Sequence, residues 1–225
     1  MKFSKVDMNI GEITPKRHNF SLYLQPTFVI DSDSATIKER AALLTEKCNL
    51  PQDRAKKLFY FVRDEIKYNP YRAFDSLDIS DYCASKTLKR GDGYCIQKAV
   101  ALTALARAVN IPARLGFADV INHPAPEKLR EMMGTNIFVY HGYSEFWLGD
   151  KWIKATPAFN IEMCEKLGLK PVEFDGVSDS ILHNRDEKGE LHIEYIRSRG
   201  TFPDLPFSEI MQAFSEHYMH TKTKV

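Results

Sequence analysis

Two residues in this sequence have the type and setting for covalent chemistry, Cys95 and His141. Cys95 follows the glycine-rich lead GDGY and opens the stretch CIQKAVALTALARAVNIPAR, which reads as a strongly apolar helix over 95–109. The start of a helix presents unpaired N–H groups and the positive end of the backbone dipole. Both favour a thiolate, the form of cysteine that attacks a carbonyl. The same donors can face the oxyanion which that attack creates. Gly91 and Gly93 let the chain turn tightly into the helix and leave room for a substrate. The competing reading is a buried thiol that only packs at the head of a core helix.

A nucleophilic cysteine needs a base within reach. Seven histidines are available: His18, His123, His141, His183, His192, His217 and His220. Most stand in polar surroundings and read as surface residues. His141 lies instead in FVYHGYSEFWLGDKWIKATP, where strand alternation puts Val139, His141, Tyr143, Glu145 and Trp147 on one face. With Gly149 and Asp150 as a two-residue turn, Trp147 opposes Trp152, Glu145 opposes Lys154 and Tyr143 opposes Thr156. Thr156 is then a diagonal neighbour of His141, at a spacing where side chains still touch. Glu145 is about 13 Å along the strand from His141, too far to orient its ring, and reads as a partner of Lys154. A hydrogen-bonded core histidine is the plainer alternative for His141.

The remaining pattern supplies the elements that position this pair. Helices are expected over 34–48, with caps at Asp31 to Asp33, and over 53–66, with an apolar stripe of Ala55, Leu58, Phe59, Val62 and Ile66. Gln97, Lys98 and Arg107 leave only a narrow polar edge on the cysteine helix, which marks it as central and buried. Strands are expected over 114–121, 137–148 and 152–156, with a short helix over 125–135. Phe20, Leu22 and Leu24 alternate weakly as a strand. Further strands are read over 172–174 and 191–195, and a terminal amphipathic helix over 208–220. Helices first and strands after give an α+β fold.

Bulk properties narrow the function. The chain has 225 residues, 44% hydrophobic and 27% charged, with a net charge of +1 from 31 basic and 30 acidic residues. That composition is ordinary for a globular protein with a sizeable core. No basic block is interleaved with aromatics, so nucleic acid is not an expected partner. No start-of-chain apolar region and no run of about 18 apolar residues is present, so no membrane partner and a cytoplasmic location are expected. Cys48, Cys83, Cys95 and Cys164 form no C-x-x-C pair, so free thiols are expected rather than a zinc ribbon. His217 and His220 are i, i+3 on a helix, but with no evident third ligand they read as surface residues, and no metal is expected. No carboxylate cluster has calcium-loop spacing, and no cofactor is expected.

Together these segments resemble the transglutaminase-like superfamily, whose core is papain-like. The resemblance covers roughly 35–160. It is carried by GDGYCIQKAVALTALARAVNIPAR, by HGYSEFW from His141 to Trp147, by WIKATPA, and upstream by KKLFYFVRDEIKY and ASKTL. It implies a central buried helix, the nucleophile at its N-terminus, packed on an antiparallel sheet. The chain is accordingly read as a 1–30 arm, a 31–160 transglutaminase-like catalytic core and a 161–225 extension packed on that core. The resemblance implies Cys95 as nucleophile, His141 as base and a third catalytic position at Thr156, where the family pattern has aspartate. Threonine offers a hydrogen bond but no charge. Three readings stay open: Thr156 orients His141, Asn160 does so instead, or the site is silent. The oxyanion hole would combine the Cys95 N–H with an upstream donor from Tyr68, Asn69 or Tyr71. The implied activity is acyl transfer on amide or peptide bonds of a protein or peptide substrate through a thioester, hydrolysis more than cross-linking. The alternative is a noncatalytic binding module that kept the fold.

Overall fold

The computed structural model describes residues 19–75 and 77–218. Residues 1–18 of the expected arm, His18 among them, and His220 lie outside them. In chain order the elements are α1 (Ser21–Leu24), α2 (Ala35–Thr45), α3 (Pro51–Glu65), β1 (Lys67–Tyr68), α4 (Ala84–Arg90), β2 (Asp92–Gly93) and α5 (Cys95–Ala108). They continue with β3 (Ala113–Asn122), α6 (Glu127–Met133), β4 (Ile137–Leu148), β5 (Lys151–Ala155), α7 (Ile161–Leu167), β6 (Ile193–Phe202) and α8 (Phe207–His217). Two 3-10 turns, Pro70–Phe74 and Ile79–Tyr82, link β1 to α4. The fold is α+β. Its sheet is antiparallel in the order β5-β4-β3-β6, and β1 pairs with β2 as a short parallel bridge.

Helix α5 is the axis of the molecule. Every residue over 95–107 is buried, with α2, α3 and α4 against it on one side and β3 and β4 on the other. Its three long polar residues form no solvent edge. Lys98 is fully buried and donates to the carbonyls of Arg63 (2.9 Å) and Ile66 (2.6 Å), closing the end of α3. Arg107 donates to the carbonyls of Ala113, Gln25 and Pro203, tying α5 to both ends of the chain. Gln97 reaches back to the Tyr94 N–H and forward to the Asp81 carbonyl. These residues interrupt the apolar pattern because each satisfies backbone groups that helix packing buries.

The β4–β5 hairpin has the register expected from its turn. Glu145 faces Lys154, Trp147 faces Trp152 and Leu148 faces Lys151, with positive φ at Gly149 and Asp150. Glu145, however, pairs with Arg114 on β3 (2.7 Å), and Lys154 instead lies over the Tyr143 ring. A more rigid, doubly bonded partner was available on the other flank. Three further expectations are corrected. Residues 21–24 form α1, which brings Phe20 and Tyr23 against Trp147 and Trp152. Residues 172–174 form no strand; the Val172 carbonyl accepts from Arg63 instead of a neighbouring strand. The strand read over 191–195 begins at Ile193 and runs to Phe202, because β3 offers a paired edge along that length.

Candidate active site

Cys95 is the first residue of α5, and its approach is fixed by the β1–β2 bridge. Lys67 donates to the Gly91 carbonyl and Asn69 to the Gly93 carbonyl, which sets Tyr68 opposite Gly93. Asp92 anchors the bridge by accepting from Asn69, Arg72 and Arg90, and these partners hold its carboxyl below the usual range against the opposing effect of burial. On the other side β4 comes close because residue 142 is glycine. A Cβ there would lie 3.0 Å from the Ile96 Cα. That approach lets the Gly142 N–H reach the Cys95 sulfur and carries His141 into the same cleft.

The direction of His141 is set by a β-bulge. Ala118 faces His141 and Val120 faces Phe138, so Val139 and Tyr140 together oppose Asp119. Tyr140 takes a positive φ of 54°, which is strained for a bulky residue. Asp119 compensates by accepting the Tyr140 N–H (3.1 Å), and is itself held by Arg199 at 2.8–3.0 Å. The Val139 N–H donates to the Tyr218 hydroxyl, beyond α8.

Burial governs the protonation of the pair. It pushes the Cys95 thiol up to about 11, against the lowering pull of the Gly142, Ile96 and Cys95 N–H groups. It pushes the His141 imidazole down to about 4. The resting site therefore holds a neutral thiol beside a neutral imidazole. This differs from the thiolate expected from helix-start electrostatics, because desolvation exceeds what a few backbone donors supply.

His141 Nε2 and Thr156 Oγ1 are both buried, and neither has a hydrogen-bond partner among the described residues. Both neighbour Tyr195, which the sequence reading missed. Its ring meets the imidazole edge-on with centroids 6.1 Å apart, and its hydroxyl accepts from the Leu182 N–H. That hydroxyl also approaches Thr156, without the alignment of a full hydrogen bond. Thr156 is held by its backbone, donating to the Ser180 carbonyl. Asn160 is occupied elsewhere: its side-chain oxygen accepts from the Tyr68 N–H. An edge-on aromatic leaves no local periodic signal, so only contact across the sheet reveals Tyr195.

The three upstream donors separate. The Asn69 amide is used by Asp92 and the Tyr71 N–H, and the Tyr68 backbone N–H is used by Asn160. The Tyr68 ring lines the Cys95 cleft, and burial together with the nearby sulfur holds its phenol well above the usual range, fully protonated. The cleft encloses about 30 Å³ and is otherwise apolar, walled by Phe74, Leu129, Met133, Phe138 and Phe214. Among the described residues no group of three or more His, Cys, Asp or Glu could hold a metal ion, and no helix is long and apolar enough to cross a membrane.

The sequence profile of the transglutaminase-like superfamily matches residues 38–157, over half of the chain, and the chain belongs to that superfamily. Two solved structures are similar. One is described as a candidate cysteine protease from Cytophaga hutchinsonii, at 18% identity and a TM-score of 0.47, covering 80% of this chain and 53% of that one. The other is described as a candidate protease from Parabacteroides distasonis, at 14% identity and a TM-score of 0.38, covering 57% and 26%. The chain thus spans about half the length of the first and a quarter of the second. No curated protein matches it.

Proposed function

We propose that this protein is a cysteine acyl-transfer enzyme that hydrolyses amide or peptide bonds. The observation that carries the reading is the convergence, in one cleft, of the thiol at the head of the central helix and the imidazole on the adjoining strand. Membership in the superfamily supports a cysteine-based enzymatic role. Cys95 attacks the carbonyl as its proton passes to His141, so the ion pair forms with the new C–S bond rather than before it. A thiol of high pKa is intrinsically the stronger nucleophile once deprotonated. The Cys95 N–H and the Tyr68 hydroxyl face the developing oxyanion. His141 then protonates the leaving amine, and water, activated by the same imidazole, releases the acyl group.

A silent binding module is the second reading. It is favoured by one observation, the buried Nε2 of His141, which has no hydrogen-bond partner among the described residues. Incubation with p-nitrophenyl acetate followed by mass spectrometry separates the two. The enzyme reading expects an acetyl group on Cys95 that forms and then decays, and that His141→Ala forms far more slowly. Wild-type protein that never carries the acetyl group at Cys95 is the binding module.

A further inference from the structure

A second cavity of about 100 Å³ adjoins the Cys95 cleft. The two share Tyr68, Pro70, Leu129 and Phe138 as walls, so they meet across the Tyr68 ring. Beyond that wall the second cavity is lined by Phe159, Met163, Leu167 and Leu169, with His192 as its imidazole. His192 is 2% exposed, and neither ring nitrogen has a hydrogen-bond partner among the described residues. Its ring is stacked on Phe159 with centroids 5.7 Å apart, which fixes its plane. Its backbone N–H donates to the Asn184 carbonyl. This is a buried histidine, not the surface residue that its polar sequence neighbours imply.

We propose that this cavity binds a neutral apolar group ending in a hydroxyl, and that His192 reads that hydroxyl. A buried polar group without a partner is costly, so an occupant that satisfies it is favoured over a purely apolar one. A neutral imidazole presents one donor and one acceptor, and a hydroxyl can answer either. The wall carries no Lys, Arg, Asp or Glu, so a carboxylate or an ammonium group would be desolvated there without a counter-charge. Burial lowers the His192 pKa to about 4, which keeps the ring neutral at physiological pH. In the reading above, the group in this cavity is the side chain of the acyl donor whose carbonyl lies at Cys95. That placement rests on the proposed function; the ligand chemistry of the cavity does not.

The test is NMR titration of the full chain, followed at the His192 imidazole Cε1–H, with pentan-1-ol, pentanoate and pentylammonium as probes. Pentan-1-ol should shift that signal saturably, and the two ions should bind at least about tenfold more weakly. His192→Phe should weaken pentan-1-ol by about tenfold, with the melting temperature showing that the variant is folded. Equal binding of pentanoate, an unmoved His192 signal, or unchanged affinity in folded His192→Phe would each overturn the proposal. The titration is repeated on Cys95→Ala, which has no chemistry. Binding there without acyl-enzyme formation in wild type sinks the enzyme reading alone. Acyl-enzyme formation with an unmoved His192 signal sinks only the cavity.

Discussion

Tyr195 stands edge-on against His141, with ring centroids 6.1 Å apart and an interplanar angle of 75°. It comes from β6, two strands away from β4, and its hydroxyl approaches Thr156. Among the described residues the His141 ring has this aromatic contact and no ion-pair partner.

A carboxylate placed at position 156 should supply the charge that threonine lacks. Thr156→Asp is expected to raise the His141 pKa from about 4 by about 1–3, since an adjacent negative charge favours the imidazolium. Acyl-enzyme formation should accelerate with it. Histidine NMR titration checks the first effect. An unmoved His141 pKa would show that position 156 does not reach the ring.

The thiol should behave as a weak acid in the free protein. With Cys95 at about 11, alkylation by iodoacetamide at pH 7 should be slower than that of a model thiol and should climb steadily towards pH 11. Fast labelling below pH 7 would mean that an ion pair already exists at rest.

Tyr68→Phe removes one donor from the proposed oxyanion site while keeping the ring that packs edge-on against Phe159. Turnover of an activated ester should fall about a hundredfold, with KM little changed. The unfolding temperature should stay close to wild type. A drop in turnover of less than threefold, on the order of a mere packing change, would remove Tyr68 from the mechanism.

Asp119 supports the bulge that aims His141. Asp119→Ala leaves Arg199 without its partner and the strained Tyr140 N–H without an acceptor. Urea unfolding should show a loss of about 3–5 kcal/mol. Asp119→Asn keeps the acceptor and should retain more activity than Asp119→Ala at matched folded fraction.

Acid should destabilise the fold through two histidines. Burial depresses His141 and His192 to about 4 from an ordinary 6.5. Between those values the unfolded chain binds more protons than the folded one, so stability falls as pH drops from 6.5 to 4. His141→Gln combined with His192→Gln should flatten that window in a urea-unfolding series. An unchanged slope would place the acid sensitivity elsewhere.

Much of this was legible locally. Helical spacing located α2, α3 and α5, and the Gly149–Asp150 turn set the register of β4 on β5, because both depend on residues close in sequence. Cys95 at the head of α5 was visible for the same reason, whereas threonine at the position where the family pattern has aspartate came from the resemblance. The tertiary structure decided the rest. Tyr195 reaches His141 from β6, Asp119 buttresses Tyr140 from β3, and α8 carries Phe214 onto the cleft. Each joins elements whose contact has no periodic signature. The sign of the pKa shifts belongs to this second kind. The sequence shows the helix-start donors that favour a thiolate, but how far surrounding side chains exclude water depends on packing, and at Cys95 that exclusion prevails.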